Sequence, residues 1–296
     1  MIFPIYPKKY DRRRKYYMVL DCETATLPYA GNPNFSAEQK KAIAIAKPLI
    51  YDLGWQIVDK KGNVYARKNY LITEIFSVPA IFNTAYYAYK RPLYLEKLKN
   101  GEIILTDWKT ATAEFEKDLA AIAGVGAYNA MFDYKKAIPF TELYISMLYS
   151  PNFYQWESFQ NNRCDEIARK VGYQSKKEFE PDVFRFRGKS YPLFDIWGLA
   201  CKTILNTDEY KQMCIDNKWK TASGKYFKTS AETAFRFVTG QTEFDEAHTA
   251  VDDAIIETEI FALIVEKSKN QVEMGIIYFP FRQLGTVQTF LERWEG

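Results

Sequence analysis

The sequence predicts an α/β domain, a mixed central sheet flanked by helices, on three observations. An apolar run, Met18, Val19 and Leu20, leads straight into Asp21, Cys22 and Glu23, as a short buried strand would. Two runs rich in Ile, Val, Tyr and Leu flank the turn Lys60, Lys61, Gly62, Asn63, a hairpin signature. Ala111, Phe115, Leu119 and Ile122 recur at helical spacing ahead of a short strand from Gly124 to Tyr128.

On the first strand, residues i and i+2 face the same way, so Asp21 and Glu23 project together while Cys22 points to the other side. Two carboxylates at the end of an apolar strand repel unless a cation lies between them. Oxygen ligands without a Cys or His pattern favour magnesium or manganese over zinc. The alternative is a polar strand end entering a loop. An excursion from about Pro28 to Lys47 then precedes the hairpin, which adds two antiparallel strands beside the first. The helix from Thr110 to Ala121 leads into the Gly124 strand, and a further helix is expected from Asn129. Asn129 and Asp133 are four apart, so on that helix they share one face near its positive N-terminal end. An Asn cap with an acid in the first turn is the plainer reading.

Roughly 139–190 reads as an aromatic and charged insertion, after which PLFDIWGLACKTIL is expected as an apolar helix. A tail over about 268–296 is a short helical or extended addition. Residues 1–296 are read as one domain, because motifs near both ends must meet in one site.

His248 is the only histidine, which excludes chemistry that needs two imidazoles, most zinc sites included. Thr249 to Asp252 form a T-x-x-D helix start, with Thr249 as N-cap and Asp252 serving the helix terminus, which leaves Asp253 for a ligand. Five helical residues would turn His248 from Asp253 by about 140°. His248 is therefore expected ahead of the helix, on a loop free to swing, where adjacent carboxylates favour the protonated imidazole.

These three segments, DxE, NxxxD and HxxxxD in order, resemble the motifs of the DEDDh family, the DnaQ-like 3′-to-5′ exonucleases on a ribonuclease H-like fold. Asp21, Glu23, Thr24 and Leu27 match the first motif, although Thr26 stands where the family usually has Gly. Asn129, Phe132 and Asp133 match the second, and His248, Ala250 and Asp253 the third; Thr249 stands where the tyrosine-bearing sister family has Tyr. The resemblance implies two Mg2+ (or Mn2+) held by Asp21, Glu23, Asp133 and Asp253, with Asp21 bridging them and His248 as general base. It implies hydrolysis at the 3′ end of single-stranded DNA or other DNA 3′ ends, with release of 5′-mononucleotides. It places Leu27 as a wedge between the last bases and Thr24 near the terminal hydroxyl, with Asn129 and Phe132 as further substrate contacts. Ordinary packing accounts equally for Thr24 and Leu27, and Phe132 reads better as core.

Composition adds limits. A hydrophobic content of 47% over 296 residues argues for a substantial core, and no apolar run is long enough to span a bilayer. The four cysteines, Cys22, Cys164, Cys201 and Cys214, form no CxxC pair, which suggests reduced thiols and a cytoplasmic setting. A net charge of +3 does not announce a nucleic-acid partner by itself. Basic residues cluster between Lys8 and Lys15, however, and between Arg169 and Lys189, the latter with Arg185 and Arg187 near aromatics. Two other functions stay open: an exoribonuclease acting on RNA 3′ ends, and a catalytically quiet nucleic-acid-binding module. No polymerase region is present, so a proofreading role would need a separate partner.

Overall fold

The computed structural model describes residues 15–26, 48–149 and 181–295. Leu27, Cys164, the excursion over 28–47, the basic run up to residue 14 and the middle of the 139–190 segment lie outside the described residues.

Among the described residues, seven strands form one mixed sheet: β1 (Tyr17–Ala25), β2 (Leu49–Val58), β3 (Val64–Ile72), β4 (Ile104–Thr106), β5 (Gly124–Ala127), β6 (Val183–Phe186) and β7 (Lys189–Asp195). Their spatial order is β4-β3-β2-β1-β5-β7-β6. The apolar run ahead of Asp21 therefore becomes the central strand, antiparallel to β2 and parallel to β5. The hairpin is as expected. Asp59 closes it by accepting N–H bonds from Lys61 (2.9 Å) and Asn63 (3.1 Å), and Gly62 supplies the left-handed residue at φ 76°.

Among the described residues, the helices of seven residues or more are α1 (Arg91–Asn100), α2 (Trp108–Leu119), α3 (Ile138–Leu148), α4 (Ile196–Lys202), α5 (Asp208–Asp216), α6 (Ala231–Thr239), α7 (Ala250–Lys267) and α8 (Val287–Glu295). The α2 periodicity is realised for Ala111, Phe115 and Leu119, all buried, with Asp107 capping through Thr110 N–H, but the helix runs two residues earlier than expected and Ile122 lies beyond its end, partly buried against the core. PLFDIWGLACKTIL is a correction. Its first residues complete β7, pairing Leu193, Phe194 and Asp195 with Val125, Gly126 and Ala127, and only Ile196–Lys202 is helical. A short apolar stretch does not separate a buried strand from a buried helix by periodicity, and the open side of β5 needed a partner for its backbone groups. Of the 139–190 segment, α3 contacts β2 and the β6–β7 hairpin extends the sheet. In the tail, Leu284, Val287 and Phe290 pack into the core.

Strand alternation splits the core in two. Met18, Leu20 and Cys22 join Trp55, Tyr70, Phe115 and Tyr134 on one side of the sheet. Tyr17 and Val19 join Phe194, Ile260, Phe261 and Ile264 on the other, under α7. Each fully buried ring or aliphatic chain contributes roughly 1.5–3 kcal/mol. Among the described residues, no helix is long and apolar enough to cross a membrane.

Candidate metal centre

Asp21 and Glu23 share the strand face of Val19, so they point to the α7 side, while Cys22 goes to the opposite core. A register shift between Glu23 and Thr24 bends β1 directly after the two acids. Helix α7 brings the third motif to them. Its N-terminus is not closed by the expected capping box: Thr249, extended at φ −126° and ψ 142°, makes no side-chain cap, and its hydroxyl donates to Asp252 Oδ2 at 2.6 Å. Asp252 also pairs with Lys97 Nζ at 2.7 Å, which confirms a structural job for it. The helix N-terminus is capped from another strand, by Asp52 on β2, which accepts from Ala250 N–H at 2.9 Å and from the Asn69 amide. A buried carboxylate needs such donors, and the first N–H of a helix needs an acceptor.

Glu23, His248 and Asp253 each offer a ligand atom within 4.8 Å of the others. His248 precedes α7, as expected, in the left-handed region at φ 51°. It is not free to swing, because the ring is stacked on Tyr87 with centroids 4.2 Å apart and planes at 14°. Nδ1 faces Glu246 Oε2 (3.6 Å) and Asp253 Oδ2 (3.8 Å). The Tyr87 hydroxyl oxygen lies 3.3 Å from Nε2, but near-parallel planes place it over the ring, a stacking contact rather than an in-line hydrogen bond.

The second motif arrives differently from the helix-face expectation. Asn129 is left-handed at φ 76°, ahead of a single turn (Ala130–Phe132), and Asp133 opens a π-helical turn (Asp133–Ala137). Asn129 and Asp133 therefore do not stack on one helical face, and the Asn129 side chain makes no cap. The cap is Asp195 at the end of β7, which accepts from Ala130 N–H at 3.2 Å. Asp133 is buried, and the Cys22 thiol donates to its Oδ1 at 2.9 Å from the far side of β1. Its charge still reaches Asp21 and Glu23. A π-turn inside a helix re-aims a side chain and recurs at functional sites.

A further carboxylate went unnoticed in the sequence. Glu257 lies one helical turn after Asp253 on the buried stripe of α7 and accepts from Tyr128 N–H at 3.0 Å. After burial itself, it is the largest influence on Asp21. The signal was the i, i+4 spacing from Asp253. Glu246, two residues before His248, was missed as well.

Burial and mutual repulsion raise Asp21, Glu23, Asp133, Asp253 and Glu257. Asp253 is pushed up to about 9 by burial, then by Glu246 and Glu23. Glu23 rises to about 8 through burial, Asp52 and Glu246. Burial takes Asp133 to about 7 against the bonds that favour its charge. Asp21 and Glu257 are held well above the usual carboxylate range, burial leading in both. Asp253 Oδ1 is buried with no hydrogen-bond partner among the described residues. An orphaned oxygen within a self-repelling cluster of hard donors fits a divalent cation, which would neutralise the acids and occupy the free lone pairs. The imidazole departs from expectation: burial and then Lys90 lower the His248 pKa, outweighing Glu232 and Asp245.

Thr24 is half-buried on β1 beside the two acids, and Phe132 packs half-buried against the core. Arg187 is engaged elsewhere, with Glu142 at 3.1 Å and Glu116 at 3.7 Å. Cys22, Cys201 and Cys214 are buried free thiols. Comparison of the chain with family models, with curated proteins and with solved structures finds no match.

Proposed function

We propose that the protein is a metal-dependent 3′-to-5′ exonuclease of the DEDDh type, with its α/β sheet in the ribonuclease H-like form. The observation that carries the reading is convergence: Glu23 from the central strand, His248 from the residues just ahead of α7 and Asp253 from its first turn meet within 4.8 Å. Asp21 and Asp133 lie within electrostatic reach of them. A binding module has no need of buried acids that repel one another.

Glu23 and Asp253, with Asp21 beside them and Asp133 behind, would hold Mg2+ or Mn2+. When bound, such ions clamp the attacking and leaving oxygens of an in-line phosphodiester displacement. The chain's own part centres on His248. With its proton on Nδ1, towards Glu246 and Asp253, the imidazole leaves Nε2 as the base that takes a proton from water. A lowered pKa keeps that ring neutral, and so able to accept, at pH 7. Stacking on Tyr87 fixes the ring plane.

Incubation with 5′-labelled single-stranded DNA is the test. The expected result is stepwise shortening from the 3′ end in Mg2+ or Mn2+, abolished by EDTA and by Asp21→Asn. A parallel RNA strand decides between DNA and RNA. An intact strand under every metal condition overturns the reading.

A further inference from the structure

Tyr86 and Tyr89 are 85% and 71% exposed, yet they sit against the site. Between them lies Tyr87, edge-on to Tyr86 with centroids 4.8 Å apart, 6.2 Å from Tyr89, and stacked on His248. A continuous series of rings thus runs from solvent to the imidazole. One cation belongs to the same surface. Lys90 Nζ lies 5.0 Å from the Tyr87 ring and 6.0 Å from that of Tyr89, and is anchored by donating to Ala247 O at 2.7 Å. The cation acts on Glu23 and Glu246 as well, so it stands at the edge of the acid cluster.

Folding does not require these two rings to face water, since a tyrosine contributes more to stability when its ring is buried. Flat exposed rings beside a lysine match the faces of unstacked bases and an adjoining phosphate. The acids of the site repel a polyanion; Lys90 offsets that where the strand would enter.

We infer that Tyr86, Tyr89 and Lys90 form a stacking platform for unpaired bases at the end of a single-stranded nucleic acid. The inference rests on the exonuclease reading and sharpens it. A base can lie on a tyrosine only when it is not paired, so the platform selects single strands over blunt duplex. Stacking ignores the sugar, so DNA and RNA strands bind alike there.

Fluorescence anisotropy of labelled oligothymidylate and oligouridylate on the full chain, with calcium present, reads binding apart from turnover. Tyr86→Ala and Tyr89→Ala are each expected to weaken binding about tenfold or more, the usual effect of losing one stacked base. Tyr86→Phe and Tyr89→Phe keep the ring and retain affinity, and Lys90→Ala lowers the salt slope by about 1. Wild-type affinity in both alanine variants overturns the platform, as does equal loss in the phenylalanine variants or equal binding of blunt duplex. Ring-dependent binding without strand shortening leaves the platform standing and removes the exonuclease; shortening unaffected by the rings does the reverse.

Discussion

Asp253 is the residue on which the site turns, being both the acid pushed up to about 9 and the one with an orphaned buried oxygen. Asp253→Asn replaces an acid that the metal-free fold must keep protonated, at a cost in stability above the acid's unfolded value, with a side chain that is always neutral. At pH 8 in EDTA the variant is expected to melt several degrees above wild type by calorimetry, while losing its response to Mn2+ and, on the proposed function, any shortening of DNA strands. A lower Tm together with a retained Mn2+ response would contradict the assignment. Glu257 makes a second residue-scale test. Glu257→Ala leaves Tyr128 N–H without its acceptor and is expected to cost about 1–3 kcal/mol in urea unfolding, whereas Glu257→Gln keeps an acceptor and most of that stability. Asp21, Glu23, His248 and Asp253 were legible in the sequence because spacing on a strand and at a helix start dictates direction. Asn129 was not: its backbone is left-handed and the following N–H is capped by Asp195, a partner distant in the chain that no local pattern reports.

Helix α7 holds the third motif in place through its seat on β2. A Cβ on Gly54 would fall 2.6 Å from Ala250 C and 2.8 Å from Val251 Cα, backbone atoms that cannot give way locally. Gln56, two residues on, donates its amide to Ala254 O (3.0 Å) and Thr258 Oγ1 (3.1 Å), so the same strand fixes the next turn of the helix. Gly54→Ala is therefore expected to lift the first turn of α7, at roughly 1–3 kcal/mol or more, and, on the proposed function, to lower the rate of strand shortening beyond what the lost stability explains. An unchanged rate of strand shortening, or unchanged Mn2+ binding, in the folded variant would show that the seat of α7 does not set the site. At this scale the hairpin was legible because its turn residues interact within a few positions. The β7 strand and the cross-strand cap from Asp52 were not, since both depend on partners that only the assembled sheet supplies.

The whole molecule carries several acids in their raised state at once, which sets its response to pH. Glu23, Asp133 and Asp253 fold with values of about 8, about 7 and about 9, against about 4 when unfolded. A raised folded value means stability is fully present below the unfolded value and is lost as pH rises through the folded one. In EDTA, Tm is accordingly expected to fall between pH 6 and 9. With Mn2+ the trend should flatten or reverse, because a metal takes the deprotonated acids. The α/β layering was legible from order and periodicity, while the convergence of chain segments this far apart was an expectation that only a folded sheet could place. Calorimetric titration of the chelator-stripped protein with Mn2+ at neutral pH tests that convergence most directly. Saturable binding with proton release, lost in Glu23→Gln and in Asp253→Asn alike, is the predicted result. Absence of binding, or binding that survives both substitutions, would contradict it.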